Sequence, residues 1–318
     1  MCVNGLLPDE VDEESCGNFL TFIVPAPKGC NLKCSFCFIR QRREGEHRES
    51  VDSALRPEDL ERFIDEMRQQ GPIVALAVQG HEPLLSESLP FTEAVLTKGR
   101  TLGLPTGLVT NGVRLSASLK LLRKCAPSKM AVSLDAASPK IHDHIRGLEG
   151  AWAASVQGIK DANKSLCGQT QLAVASVLAP AASSHLVNMP EFLNELGVAD
   201  WIVNPQLKIA RDKEARLKSD RERILQELLP LQEAAKAAQI RLTVDDEFDC
   251  FQLGAGNEIG SKRPNIRIIP KTIEVFRLSP GGQCSIGREI LKPVALTTRR
   301  WRPGHVHAAD LIYQKLAA

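Results

Sequence analysis

The chain has 318 residues, enough for one large α/β domain with a modest appendage or for two ordinary domains. Hydrophobic residues make up 43% and charged residues 25%, the proportions of a folded globular protein, which excludes a disordered or fibrous chain. A formal net charge of +2, from 40 basic and 38 acidic side chains, supplies no large field to gather nucleic acid or an anionic membrane. Residues 1–17 form a polar leader in which Asp9, Glu10, Asp12, Glu13 and Glu14 follow Pro8. The leader lacks the basic flank and apolar core of a signal peptide. No later stretch approaches the roughly 20 apolar residues of a membrane span, so the expectation is a cytoplasmic protein without a membrane partner.

After the leader, Phe19 to Val24 is a short apolar run that ends at Pro25 and opens into a loop containing glycine and cysteine. Arg56-Pro57-Glu58-Asp59-Leu60 starts a helix with apolar Leu60, Phe63, Ile64 and Met67, closed by Gly71 and Pro72. The second strand, Ile73 to Val78, runs into Gln79-Gly80-His81-Glu82-Pro83. The alternation continues through a helix near Leu89 to Arg100, a strand at Gly107 to Thr110, a helix near Ser118 to Lys124 and a strand at Met130 to Leu134. Two further strands are predicted at Gln171 to Leu178 and Trp201 to Val203, and a long helix at Arg221 to Ile240. Six strand–helix units predict an α/β fold with a parallel sheet, whose strand–helix loops gather along one edge. From residue 241 to 318 only short extended pieces and a final short helix are expected, so the predicted division is a core at 18–240 and a small mixed C-terminal capping region at 241–318.

Nine cysteines, an odd number, point to metal or redox chemistry rather than a disulfide framework. Three of them stand in Cys30-Asn31-Leu32-Lys33-Cys34-Ser35-Phe36-Cys37, so one short loop carries three thiolates. Three ligands on a four-iron cluster leave one iron open, which is useless for simple electron transfer but can coordinate the amino and carboxylate groups of a methionine-like ligand. The same cysteines leave a second reading open: a non-catalytic iron–sulfur or zinc protein acting as redox sensor or scaffold. Structural zinc usually takes paired Cys-x-x-Cys spacings, and the chain has no second pair.

The CxxxCxxC spacing with Phe36 before the last cysteine resembles the signature of the radical S-adenosylmethionine (SAM) superfamily. Gln79-Gly80-His81-Glu82-Pro83 is similar to that family's Gly-Gly-Glu-Pro element, with His81 in place of the second glycine. Thr110-Asn111-Gly112, Ser133-Leu134-Asp135 and His142-Asp143-His144-Ile145-Arg146-Gly147 also resemble family elements, the last being common in members with C-terminal SPASM or Twitch extensions. The resemblance covers about Phe19 to Arg211 and implies a partial (β/α)6 TIM-like barrel. It implies one [4Fe–4S] cluster on Cys30, Cys34 and Cys37. It also implies SAM held by Phe36, Gln79, Gly80, His81, Glu82, Asn111, Ser133, Asp135 and Arg146, with Phe36 packed near the adenine and Glu82 accepting from the ammonium. The implied reaction is reductive cleavage of SAM to a 5′-deoxyadenosyl radical that abstracts hydrogen from a substrate, with electrons from a donor such as flavodoxin or ferredoxin.

Which side chains act on the substrate is unknown at this level, and both a peptide or protein side chain and a small biosynthetic molecule fit. A leader peptide would need either a separate peptide-recognition protein or no partner at all. Cys250 and Cys284 fall where extended relatives hold auxiliary clusters, but they are too few for one, so a degenerate extension without a second cluster is expected unless Cys16, His305 or His307 contributes. Cys125 and Cys167 read as small core residues, and Lys208 and Arg211 as loop residues that could meet an anionic group.

Overall fold

A computed structural model of the chain describes residues 17–24, 29–37, 55–179, 182–206, 213–245, 266–267, 273–278 and 284–286. In chain order, β1 (Gly17–Ile23), α1 (Pro57–Gln70), β2 (Ile73–Gln79), α2 (Leu89–Thr101), β3 (Thr106–Thr110), α3 (Leu115–Cys125) and β4 (Lys129–Ser133) come first. They are followed by α4 (Pro139–Arg146), α5 (Ala151–Ser165), β5 (Gln171–Leu178), α6 (Ser183–Leu186), α7 (Met189–Glu195), β6 (Asp200–Pro205), α8 (Lys213–Ala237) and β7 (Arg241–Asp245). Three short strands, β8 (Ile266–Arg267), β9 (Ile273–Leu278) and β10 (Cys284–Ile286), lie beyond. Strands β1 to β7 run parallel and alternate with helices, the arrangement of the partial barrel expected from the sequence.

The register shows why these strands read as nearly continuous apolar runs: both faces are buried. Leu20, Phe22, Leu76, Val78, Leu108, Met130, Val132, Val174 and Val203 belong to the core beneath the helices. The alternate residues Phe19, Ala75, Ala77, Ala131, Ala173, Ala175 and Ile202 form a second, smaller cluster on the inner face. Alanine at five of these seven positions keeps the concave side of the sheet shallow. At the start of three neighbouring strands, Gln171 Nε2 donates to Asp200 Oδ2 at 3.0 Å and Arg241 pairs with Asp200, while buried Lys129 opens β4. Polar side chains therefore close the end of the sheet opposite the strand–helix loops.

The described strands beyond residue 240 join the same sheet as the core. The sheet order is β10-β9-β1-β2-β3-β4-β5-β6-β7-β8, so β7 continues the core and β9 pairs in parallel with β1. The reason is physical: β1 would otherwise present an open edge of unpaired backbone groups. The expected final helix, the leader with Cys2 and Cys16, and Lys208, Arg211, Cys250, His305 and His307 lie outside the described residues. Among the described residues no helix is long and apolar enough to cross a membrane.

Candidate functional site

The cysteine loop docks on the C-terminal turn of α4. Lys33 N–H donates to the Arg146 carbonyl at 2.9 Å and Ser35 N–H to the Ile145 carbonyl at 3.1 Å, using acceptors that a helix end leaves without intrahelical partners. Gly147 makes the approach possible: its φ is +66°, and a Cβ there would lie 2.8 Å from the Lys33 carbonyl oxygen. Leu32 is buried and anchors the loop from the other side. The Cys30 thiol donates to the His81 carbonyl at 3.2 Å, and Asn111 Nδ2 donates to Asn31 Oδ1 at 2.8 Å and lies 3.9 Å from Cys30 Sγ. The loop thus meets the ends of β2, β3 and α4 together.

All three thiols are free and half-buried. Burial pushes the Cys30 thiol up to about 11, offset in part by the Leu32 N–H and reinforced by Glu82, Cys34 and Cys37. Burial also raises Cys34, against the pull of Arg146. Three thiolates that repel one another in a desolvated loop call for a cationic centre, so the donor set fits a metal cluster. Among the described residues no three His, Cys, Asp or Glu side chains gather around a single ion's position. A cubane that takes one thiolate per iron does not require that convergence.

At the end of β2, Gly80 has φ +100° and a Cβ there would lie 2.6 Å from Ile23 Cγ2, so this is the position that demands glycine. His81 has no such demand: it contributes its backbone carbonyl beside Cys30, and a side chain is tolerated. Glu82 is buried and holds the end of β3. Its Oε1 accepts from Thr110 Oγ1 at 2.6 Å and Leu84 N–H at 3.0 Å, and its Oε2 accepts Asn111 N–H at 2.7 Å. Burial raises the Glu82 carboxyl pKa even against these three donors. Gln79, on the same face of β2 as Ala75 and Ala77, is buried with no hydrogen-bond partner for Nε2. An orphaned donor at a strand–helix edge is a place where a ligand acceptor is wanted.

Ser133 ends β4, and Asp135 just beyond it is the junction of the remaining motif. Asp135 Oδ2 accepts from Arg146 Nε at 2.5 Å, Oδ1 accepts Val177 N–H at 3.0 Å, and Asp135 N–H donates to His142 Nδ1 at 3.1 Å. Burial lowers the His142 pKa to about 4, so the ring is neutral and can accept. Arg146 Nη1 lies 3.8 Å from Cys34 Sγ, and the guanidinium covers the Phe36 ring at 5.3 Å. Asp143 accepts the N–H groups of Gly150 and Trp152, each at 2.7 Å, fixing the start of α5. Each marked residue of His142-Asp143-x-x-Arg146-Gly147 therefore has a contact that explains it. The roles of Asn31, His142 and Val177 were not legible in the spacing; Cys125 is buried as expected, whereas Cys167 is exposed, in the turn after α5.

Residues 24–171 match the family model described as the Radical SAM superfamily. That stretch, a little under half of the chain, is similar to the radical SAM superfamily. The chain is 29% identical over 213 residues to an AdoMet-dependent heme synthase of Methanosarcina barkeri, covering 65% of this chain and 57% of that protein. It is 27% identical over 138 residues to a GTP 3′,8-cyclase of Xanthomonas axonopodis pv. citri, covering 43% of this chain and 41% of that one. The chain thus spans well under two thirds of the length of these relatives. Its fold is shared with Streptococcus suis SuiB, solved bound to the precursor peptide SuiA, at a TM-score of 0.62 and 17% identity over 92% of this chain and 64% of that one. Likeness to that superfamily implies one [4Fe–4S] cluster, for which Cys30, Cys34 and Cys37 form the family's motif, and SAM as its companion. It also implies a need for a reductant and a substrate.

Proposed function

We propose that this chain is a radical SAM enzyme that cleaves SAM reductively at a cluster on Cys30, Cys34 and Cys37. The observation that carries the reading is the meeting of the cysteine loop with the ends of β2, β3 and α4, through Cys30 at His81, Asn111 at Asn31 and Arg146 at Cys34. When bound, the cluster and SAM supply a 5′-deoxyadenosyl radical for hydrogen abstraction. The protein's part is to bind, orient and exclude water.

In this reading the Gly80–His81 backbone and Glu82 receive the ammonium of SAM. Glu82 Oε2 has one donor, Asn111 N–H, and retains acceptor capacity for a charge-assisted bond. Ser133, Asp135, Asn111 and Phe36 border the rest of the cofactor, and the orphaned Gln79 amide donates to SAM or substrate. The shallow alanine face of the sheet leaves room for a substrate in a water-poor space. We assign the substrate to peptides, protein side chains or small biosynthetic molecules, the range spanned by SuiB with its precursor peptide, the heme synthase and the GTP cyclase. Electrons come from a carrier of the flavodoxin or ferredoxin class.

The test is anaerobic iron and sulfide reconstitution, reduction with dithionite in the presence of SAM, and mass spectrometry of 5′-deoxyadenosine. Wild type produces it and Cys34→Ala does not; bound zinc without iron in the wild type contradicts the reading. Candidate substrates are then screened by following deuterium into the deoxyadenosine.

A further inference from the structure

We propose that Arg146 is a fixed charge partner of the iron–sulfur cluster, set beside Cys34 to make the cluster easier to reduce. The inference rests on the radical SAM reading and concerns the one-electron reduction of the cluster.

The guanidinium is not a free arm. Nε is held by Asp135 Oδ2, one face lies over Phe36 at 5.3 Å, and Nη1 is 3.8 Å from Cys34 Sγ. Asp135 is itself pinned by Val177 N–H at 3.0 Å, so the guanidinium that faces the sulfur is oriented before any ligand arrives. Arginine keeps its charge throughout the accessible pH range.

Reduction adds one electron, delivered by a flavodoxin- or ferredoxin-class carrier, to a centre already bearing three thiolates, and takes up no proton at Arg146. The surroundings otherwise resist it. The last carbonyls of α4, at Ile145 and Arg146, turn toward the loop and place the negative end of the helix there, and Glu82 and Asp135 add carboxylates nearby. A permanent positive charge and an N–H···S contact on a ligand sulfur both favour the more negative, reduced state, because hydrogen bonds and net charge around the sulfurs set the potential. At this separation in a half-buried site the charge is screened less than it would be on an open surface.

The test is a dithionite titration of reconstituted protein without SAM, with the midpoint potential read by electron paramagnetic resonance. Arg146→Met shifts the midpoint to more negative potential, and Arg146→Lys, which keeps the charge but loses the fork, shifts it less. A fully iron-loaded Arg146→Met protein with the wild-type midpoint overturns the proposal. Arg146→Gln, which keeps a hydrogen-bond donor without the charge, is the second variant where Arg146→Met fails to load iron, and a wild-type midpoint in that loaded variant overturns the proposal as well. A wild type that takes zinc, or iron without a reducible cluster, contradicts the radical SAM reading itself, and the proposal falls with it.

Discussion

The Glu82 carboxylate accepts the Asn111 backbone N–H at 2.7 Å, tying the end of β2 to the end of β3 beside the cysteine loop. Glu82→Gln replaces one oxygen with an NH2 group that must face Thr110 Oγ1, Leu84 N–H or Asn111 N–H. Leaving one buried donor unmatched is expected to cost about 1–3 kcal/mol. Thermal melts of the variant should show a lower Tm. Iron load should fall as well, because Asn111 is the residue whose side chain reaches Asn31 and Cys30.

Gly147→Ala places a methyl 2.8 Å from the Lys33 carbonyl oxygen at a φ of +66°. The left-handed conformation alone costs about 1–2 kcal/mol for a residue with a Cβ, and the steric conflict falls on the segment between Cys30 and Cys34. The expected outcome is a folded chain that takes up less iron per mole than wild type under the same reconstitution, read by iron and sulfide analysis.

His142 makes stability fall in acid. Burial sets its folded pKa to about 4, below the ordinary 6.5, so the stabilisation from keeping it neutral is complete above about 6.5 and is lost as pH drops toward 4. The full loss is about 3 kcal/mol. In His142→Asn a side-chain oxygen can still accept Asp135 N–H without titrating in this range. Urea unfolding at pH 7 and pH 5 should show wild type losing more stability than the variant, and equal losses would contradict the assignment.

Asp143 fixes the start of α5 through the N–H groups of Gly150 and Trp152. Removing both acceptors in Asp143→Ala is expected to cost about 1–2 kcal/mol, the usual worth of a helix cap. Asp143→Asn, which retains an acceptor, should lie between the two in a thermal melt. The effect reaches the site indirectly, since Trp152 also donates to the Ala136 carbonyl at 3.1 Å and stacks on Phe192 at 5.5 Å.

Strands β1 to β6 were legible because a parallel sheet buried on both faces is written as unbroken apolar runs, such as Ile73 to Val78, separated by helices of period 3.6. The cysteine loop was legible because its chemistry lies in local spacing. The place of β9 was not: Ile273–Leu278 reads as a strand, but alternation does not say that its neighbour is β1, more than two hundred residues earlier. For the same reason Phe36, expected by resemblance near an adenine, gave no sign that it lies under Arg146, and Arg146 gave no sign of Cys34, 112 residues away. His81 stood out as a departure from the family's second glycine, yet the positive φ belongs to Gly80. A motif letter names a residue type, and only the backbone shows which position needs it.

The most direct test of the central claim, an open-iron cluster on Cys30, Cys34 and Cys37, is the electron paramagnetic resonance spectrum of the dithionite-reduced protein with and without SAM. The account predicts a reduced four-iron signal that changes when SAM is added to wild type and is lost in Cys34→Ala. A four-iron signal indifferent to SAM, or a chain that binds zinc and no iron, would contradict it.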